Sequence, residues 1–159
     1  MKKILFYAIS FLFFFNSCSD IYNFSYQNSL SKKKLIKTQK AILYDQTQTD
    51  LILTATYIND FEHKNNDTER FIISISSDKT WLYNRDFIIT LNELQPLGFK
   101  KLSPDNPILK LIPLKNQWKN YYLIEFEHIE DNKLYLSISD KVNRTVKLYF
   151  SKKAKYIYQ

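Results

Sequence analysis

Residues 121–150, YYLIEFEHIEDNKLYLSISDKVNRTVKLYF, decide the fold. Tyr122, Ile124 and Phe126 alternate with Tyr121, Leu123 and Glu125, and Glu130-Asp131-Asn132 then breaks the run. Leu134, Leu136 and Ile138 follow, interleaved with Tyr135 and Ser137. After a second break near Asp140–Asn143 come Val146, Leu148 and Phe150, beside Lys147 and Tyr149. Successive side chains on a strand point to opposite faces, so a period of two bounded by turn residues predicts three consecutive antiparallel strands. The set Tyr122 to Phe150 at even positions is expected to face a core, and the odd set to face outward.

The same period recurs upstream. Leu51, Leu53, Ala55 and Tyr57 repeat with Thr54 and Thr56 between them, and Phe71, Ile73 and Ile75 repeat with Ser74 and Ser76. Phe87, Ile89 and Leu91 make a further strand, and Ile42 and Tyr44 recur two apart. Gln46–Thr49, the hydrophilic stretch Asn59–Glu69 and Ser77–Lys79 read as breaks. Pro96, Pro104, Pro107 and Pro113 share the window 93–118 with Gly98. Proline cannot donate to a sheet ladder, so this window is expected to be loop with at most a short edge strand at Ile108–Ile112. It separates two strand groups. Seven or eight short strands without helical periodicity point to an all-β domain over residues 36–159, an antiparallel β-sandwich of immunoglobulin-like form, with a small β-barrel as the alternative.

Composition narrows the chemistry. Glycine occurs once in 159 residues, which excludes phosphate-cradling loops, dinucleotide turns and glycine-flanked nucleophilic serines. Twelve tyrosines and twelve phenylalanines suit half-buried pleated surfaces. A single cysteine rules out an internal disulfide framework.

The N-terminus has its own pattern. Lys2 and Lys3 precede an apolar run from Ile4 to Phe15 broken only by Ser10, and Asn16, Ser17, Cys18, Ser19 and Asp20 follow. The run has the length of a signal-peptide apolar region and is short for a membrane span. These residues resemble a bacterial lipoprotein signal peptide, whose lipobox ends in a lipid-bearing cysteine. Ser17 fits that pattern, while Phe15 and Asn16 stand where it prefers leucine and a small residue. The resemblance implies a signal peptide at 1–17, a lipidated Cys18, and a tether at 18–35 ending in Lys32, Lys33 and Lys34. It also implies a bacterial cell-envelope location, and Ser19 after Cys18 favours the outer membrane. Removing Lys2 and Lys3 from 23 basic residues leaves 21 against 16 acidic ones, a balance of +5 that favours anionic partners.

Catalytic and metal signals are weak. His63 neighbours Glu62, and His128 lies near Glu125, Glu127 and Glu130, but no second ligand cluster accompanies either pair. No catalytic residue, metal site or cofactor is expected. Trp81 and Trp118 read as core plugs. The candidate binding surface is the outward side of the last three strands, Tyr121, Leu123, Tyr135, Lys147 and Tyr149, because tyrosine offers a rigid contact with a polar tip. The proline-rich window is a second candidate. The expected function is a non-enzymatic, lipid-anchored binding or accessory module for a protein or anionic glycan partner, attached to the membrane through Cys18. A lipid-anchored hydrolase of cell-wall or lipid material is the alternative. Export makes a nucleic-acid partner unexpected.

Overall fold

A computed structural model describes residues 29–45, 48–62, 67–76, 87–116, 119–140 and 144–152. Cys18, His63, Trp81 and Trp118 lie outside the described residues. Residues 29–36, which run from the segment read as a tether into the first residue of the domain, are helical. The chain from Lys34 onward makes one compact unit, and residues 1–33 group separately.

Eight strands follow: β1 (Thr38–Asp45), β2 (Gln48–Tyr57), β3 (Thr68–Ser76), β4 (Phe87–Leu91), β5 (Gly98–Leu102), β6 (Asn120–Glu127), β7 (Lys133–Asp140) and β8 (Thr145–Ser151). They form a five-stranded sheet, β1-β2-β3-β6-β5, and a three-stranded sheet, β4-β7-β8, with every pairing antiparallel. Leaving β1 aside, the orders β2-β3-β6-β5 and β4-β7-β8 reproduce the A-B-E-D and C-F-G sheets of a constant-type immunoglobulin sandwich. β1 is then an added strand beyond the first. The immunoglobulin-like sandwich is the architecture, and the barrel alternative is not.

The reason the sheets stay open rather than closing into a barrel lies along the β1/β8 seam. No backbone ladder joins those strands among the described residues. Side chains bridge them instead. The Gln39 amide donates to the Tyr149 carbonyl and accepts from the Tyr149 amide at 3.1 Å. Lys37 Nζ donates to the Ser151 and Lys152 carbonyls at 2.5 and 3.1 Å, and Arg144 donates to the Tyr44 carbonyl at 3.0 Å. These bonds satisfy edge groups that would otherwise pair with another chain.

The core lies between the sheets. Every one of Tyr122, Ile124, Phe126, Leu134, Leu136, Ile138, Leu148 and Phe150 is buried in it, and Val146 packs against it. Leu51, Leu53, Ala55 and Tyr57 join from β2, and Phe71, Ile73 and Ile75 from β3. Phe71 is the hub: its ring meets Phe126 and Phe150 edge-on, with centroids at 6.1 and 5.2 Å, and tilts against Tyr57 at 5.2 Å. Such pairs add about 0.5–1.5 kcal/mol each beyond the burial itself.

Two local expectations are corrected. β1 turns Ala41 and Leu43 toward the core, not Ile42 and Tyr44, and Tyr44 is exposed. The register also shifts between Leu43 and Tyr44. Ile108–Ile112 is not an edge strand: Pro107–Leu111 is a 3-10 turn, with the Asn106 side chain accepting from the Ile108 amide at 3.1 Å. Pro107 at its first position has a preset φ, and the Asn106 cap meets an orphan donor, so the apolar pattern is overruled locally. The edge strand is β5, whose Gly98–Leu102 pairs with Tyr121–Glu125.

Candidate functional site

Registers across the five-stranded sheet set out its outer face in rows. Thr38, Thr56, Ile72, Leu123 and Lys100 stand side by side from β1 to β5, and Lys40, Thr54, Ser74, Tyr121 and Leu102 form the next row. The β6–β5 end of these rows is roofed. Ile108, Leu109, Leu111 and Ile112 pack with Ile58, Ile72, Leu102, Tyr121 and Leu123 into a small second core. Tyr121 anchors this roof, because its hydroxyl accepts from the Asn116 amide at 2.7 Å and donates to the Asn116 carbonyl at 3.1 Å.

The β1–β3 end of the rows stays open. Between the roof and the last helical residues lies a groove of about 360 Å³, the size of a small-molecule site. Its floor is Thr38, Lys40, Ile52, Thr54, Thr56, Ile72 and Ser74. One wall is Leu35, and the other is Ile112, Pro113 and Leu114, with Lys119 and Tyr121 beside them. Leu114 is 81% exposed at the lip, and Leu35 is also exposed. Lys34 Nζ donates to the Lys110 carbonyl at 2.7 Å and so ties the helix end to the roof. The hydroxyls of Thr38 and Thr56 meet at 2.9 Å, and Thr38 Oγ1 also donates to the Lys34 carbonyl at 2.7 Å.

The five residues expected to make one binding surface do not share a face. Tyr121 and Leu123 lie on β6, outside the five-stranded sheet, and Tyr121 is only 3% exposed beneath the roof. Tyr135, Lys147 and Tyr149 lie on β7 and β8, outside the opposite sheet. There Tyr135 and Tyr149 are direct cross-strand partners, both exposed, with rings edge-on at 5.4 Å. The chain passes from one sheet to the other between β6 and β7, which splits the set. The proline-rich window, by contrast, supplies a wall of the groove.

A charged cluster occupies one end of the sandwich. Glu69 is 1% exposed and accepts from the Tyr57 hydroxyl at 2.8 Å and the Ile129 amide at 3.1 Å. Lys152 Nζ pairs with the same carboxylate, and His128 Nδ1 stands 3.2 Å from it. Buried Lys37 pairs with Asp60 at 2.7 Å, with its ammonium 5.5 Å from the Tyr57 ring centre. Burial first, then the Glu69 hydrogen bond and the Glu69 and Asp60 charges, push the Tyr57 phenol far above its ordinary value of 10.0. That phenol therefore stays a neutral donor. His128 thus neighbours Glu69 from β3, and Glu125 accepts from Arg70 Nε at 2.9 Å. Arg70 also pairs with Glu62.

The chemistry of the two places differs. The charged cluster is buried and internally satisfied, an arrangement that ties Lys37 and Lys152 to Asp60, Glu69 and the backbone. The groove is open and lined by aliphatic and hydroxyl groups. No group of three or more histidine, cysteine or acidic residues is placed to hold a metal among the described residues. The signal for the groove was present in the sequence as Thr54, Thr56 and Ser74 at outward parity, but the wall above them depends on where residues 103–119 fold. No protein-family model matches the chain, and neither a curated protein nor a solved structure matches it.

Proposed function

We propose that this chain is a lipid-anchored protein of the bacterial cell envelope whose immunoglobulin-like sandwich is a non-enzymatic binding module. Residues 1–17 act as the export signal and Cys18 as the lipid attachment point. The groove on the outer face of the five-stranded sheet carries the binding reading. It is concave, has apolar walls, and sits on a sheet beside a proline-rich roof, the usual setting of a recognition site. Among the described residues its lining holds hydroxyl, aliphatic and ammonium groups and neither carboxylate nor imidazole.

Two comparisons test this reading. Cys18→Ala should abolish metabolic labelling with a lipid precursor and release the protein from membranes; continued labelling overturns the anchor. Affinity purification of the tagged full chain from solubilised envelopes, beside Thr54→Trp, tests the groove. A bound molecule retained by the first and lost from the second is the expected result, and identical retention by both overturns the groove as the site.

A further inference from the structure

The groove carries more information than its position. Among the described residues its walls are aliphatic: Leu35, Ile112, Pro113 and Leu114 carry neither a side-chain amide nor an aromatic ring, and Tyr121 beside them is only 3% exposed. Its floor supplies Ile52 and Ile72, and two of its hydroxyls, on Thr38 and Thr56, are already engaged with one another. The charges that line it are both positive, Lys40 and Lys119. Among the described residues neither ammonium makes an ion pair, although Glu69, Asp60, Glu62 and Glu125 are all engaged elsewhere. A volume of about 360 Å³ is at the small end for ligand sites and is on the scale of one small apolar ligand.

We propose that this groove binds a single-chain amphiphile with an anionic head, its alkyl chain between Leu35 and Leu114 and its head group paired with Lys40 and Lys119. The proposal rests on the reading of the groove as the binding site and names the ligand class. Apolar burial supplies the affinity, because each methylene taken into the groove leaves water. The two ammonium groups supply the selection, because a charge-assisted hydrogen bond to a carboxylate is worth about twice a neutral one.

Hexadecanoic acid bearing a mid-chain diazirine is the probe, added to the full chain in vesicles of zwitterionic phosphatidylcholine. After irradiation, the labelled residues are located by mass spectrometry. The expected result is labelling concentrated around residues 35–56 and 112–121, displaced at least about fivefold better by hexadecanoate than by its methyl ester. Lys40→Glu with Lys119→Glu should remove that preference, and Thr54→Trp, on the open sheet face, should remove the labelling. Circular dichroism melts establish that each variant is folded. Labelling spread in proportion to exposure overturns the proposal, as does equal displacement by the ester. If labelling fails while Thr54→Trp still strips another bound molecule from the affinity-purified chain, the groove is the site and the ligand class is wrong. If both fail, the groove reading falls with it.

Discussion

Replacing Glu69 with alanine should cost the fold about 3 kcal/mol, and the figure follows from what the carboxylate holds. It is 1% exposed and accepts from the Tyr57 hydroxyl and the Ile129 amide while facing the Lys152 ammonium. Removal orphans two donors, at about 1–3 kcal/mol for each one shut off from water. It also strips a cation of its counter-ion, and breaking a buried pair in that way costs about 3–5 kcal/mol. These costs overlap, because they describe one carboxylate's removal, and two features pull the loss down to about 3 kcal/mol. Lys152 is 17% exposed and keeps its bond to the Ile129 carbonyl, so solvent and that carbonyl carry part of its charge. The Ile129 amide is itself only partly buried. A loss of that size corresponds to a fall in Tm of roughly 10 °C for a domain of this length. Urea titration followed by far-ultraviolet circular dichroism gives the free energy directly. A double-mutant cycle with Lys152→Ala should then return a coupling of about 1 kcal/mol or more, since the two side chains touch. A loss below about 1 kcal/mol for Glu69→Ala, or additive single variants, would refute a buried, mutually satisfied cluster.

Three further outcomes are expected. Tyr57 has a folded-state pKa raised above its unfolded value, so its contribution is fully present below pH 10 and is lost as pH rises beyond it. The unfolding free energy should therefore fall above pH 10 more steeply than in Tyr57→Phe, by about 1.4 kcal/mol per pH unit; equal slopes would show that the phenol ionises without unfolding. Asn92 and Glu93, between the mutually bonded Leu91 and Leu94, have φ of 47° and 73°, and Glu93 pays for a left-handed backbone with no glycine to relieve it. Glu93→Gly should stabilise by about 0.5–1 kcal/mol in the same titration, and a loss would mean that the Glu93 side chain holds the turn. Gly98, in contrast, has an ordinary backbone, and an added Cβ would meet Glu125 Oε2 at 3.5 Å. Gly98→Ala should be neutral or stabilising by up to about 1 kcal/mol, with any sizeable destabilisation counting against the β5–β6 register.

Much of the fold was legible because most strands have one apolar parity. From β6 to β8 the even positions are apolar and the core takes them, and the same holds for Leu51–Tyr57 and Phe71–Ile75 at odd positions. β1 was misread where that contrast fails: Ala41, Ile42, Leu43 and Tyr44 are all apolar, so periodicity cannot choose a face, and the pairing of Ala41 with Leu53 and of Leu43 with Leu51 decides it. The stretch Ile108–Ile112 reads as a strand by composition, yet Asn106 and Pro107 set a 3-10 turn. Glu69 has the parity of Phe71, Ile73 and Ile75, a signal that it points inward. Its place in a hydrophilic stretch hid that signal.

The sequence by itself determined most of the strands, the turns between them and most of the side chains that leave water, because those depend on neighbours two residues apart. It also carries the resemblance of residues 1–18 to a lipoprotein signal peptide, on which the proposed anchor rests, and the scarcity of glycine that argues against glycine-dependent chemistries. Tertiary structure alone decided which strands share a sheet, and hence that Tyr121 and Leu123 part company with Tyr135, Lys147 and Tyr149. It decided that Lys152, Tyr57 and His128 converge on Glu69, and that residues 107–114 roof one half of a sheet face and leave a groove over the other. Each of these is a choice between partners dozens of residues apart, made by burying apolar area and satisfying buried charge across the whole chain. Local pattern is the same whichever partner is chosen, so it cannot reveal the choice.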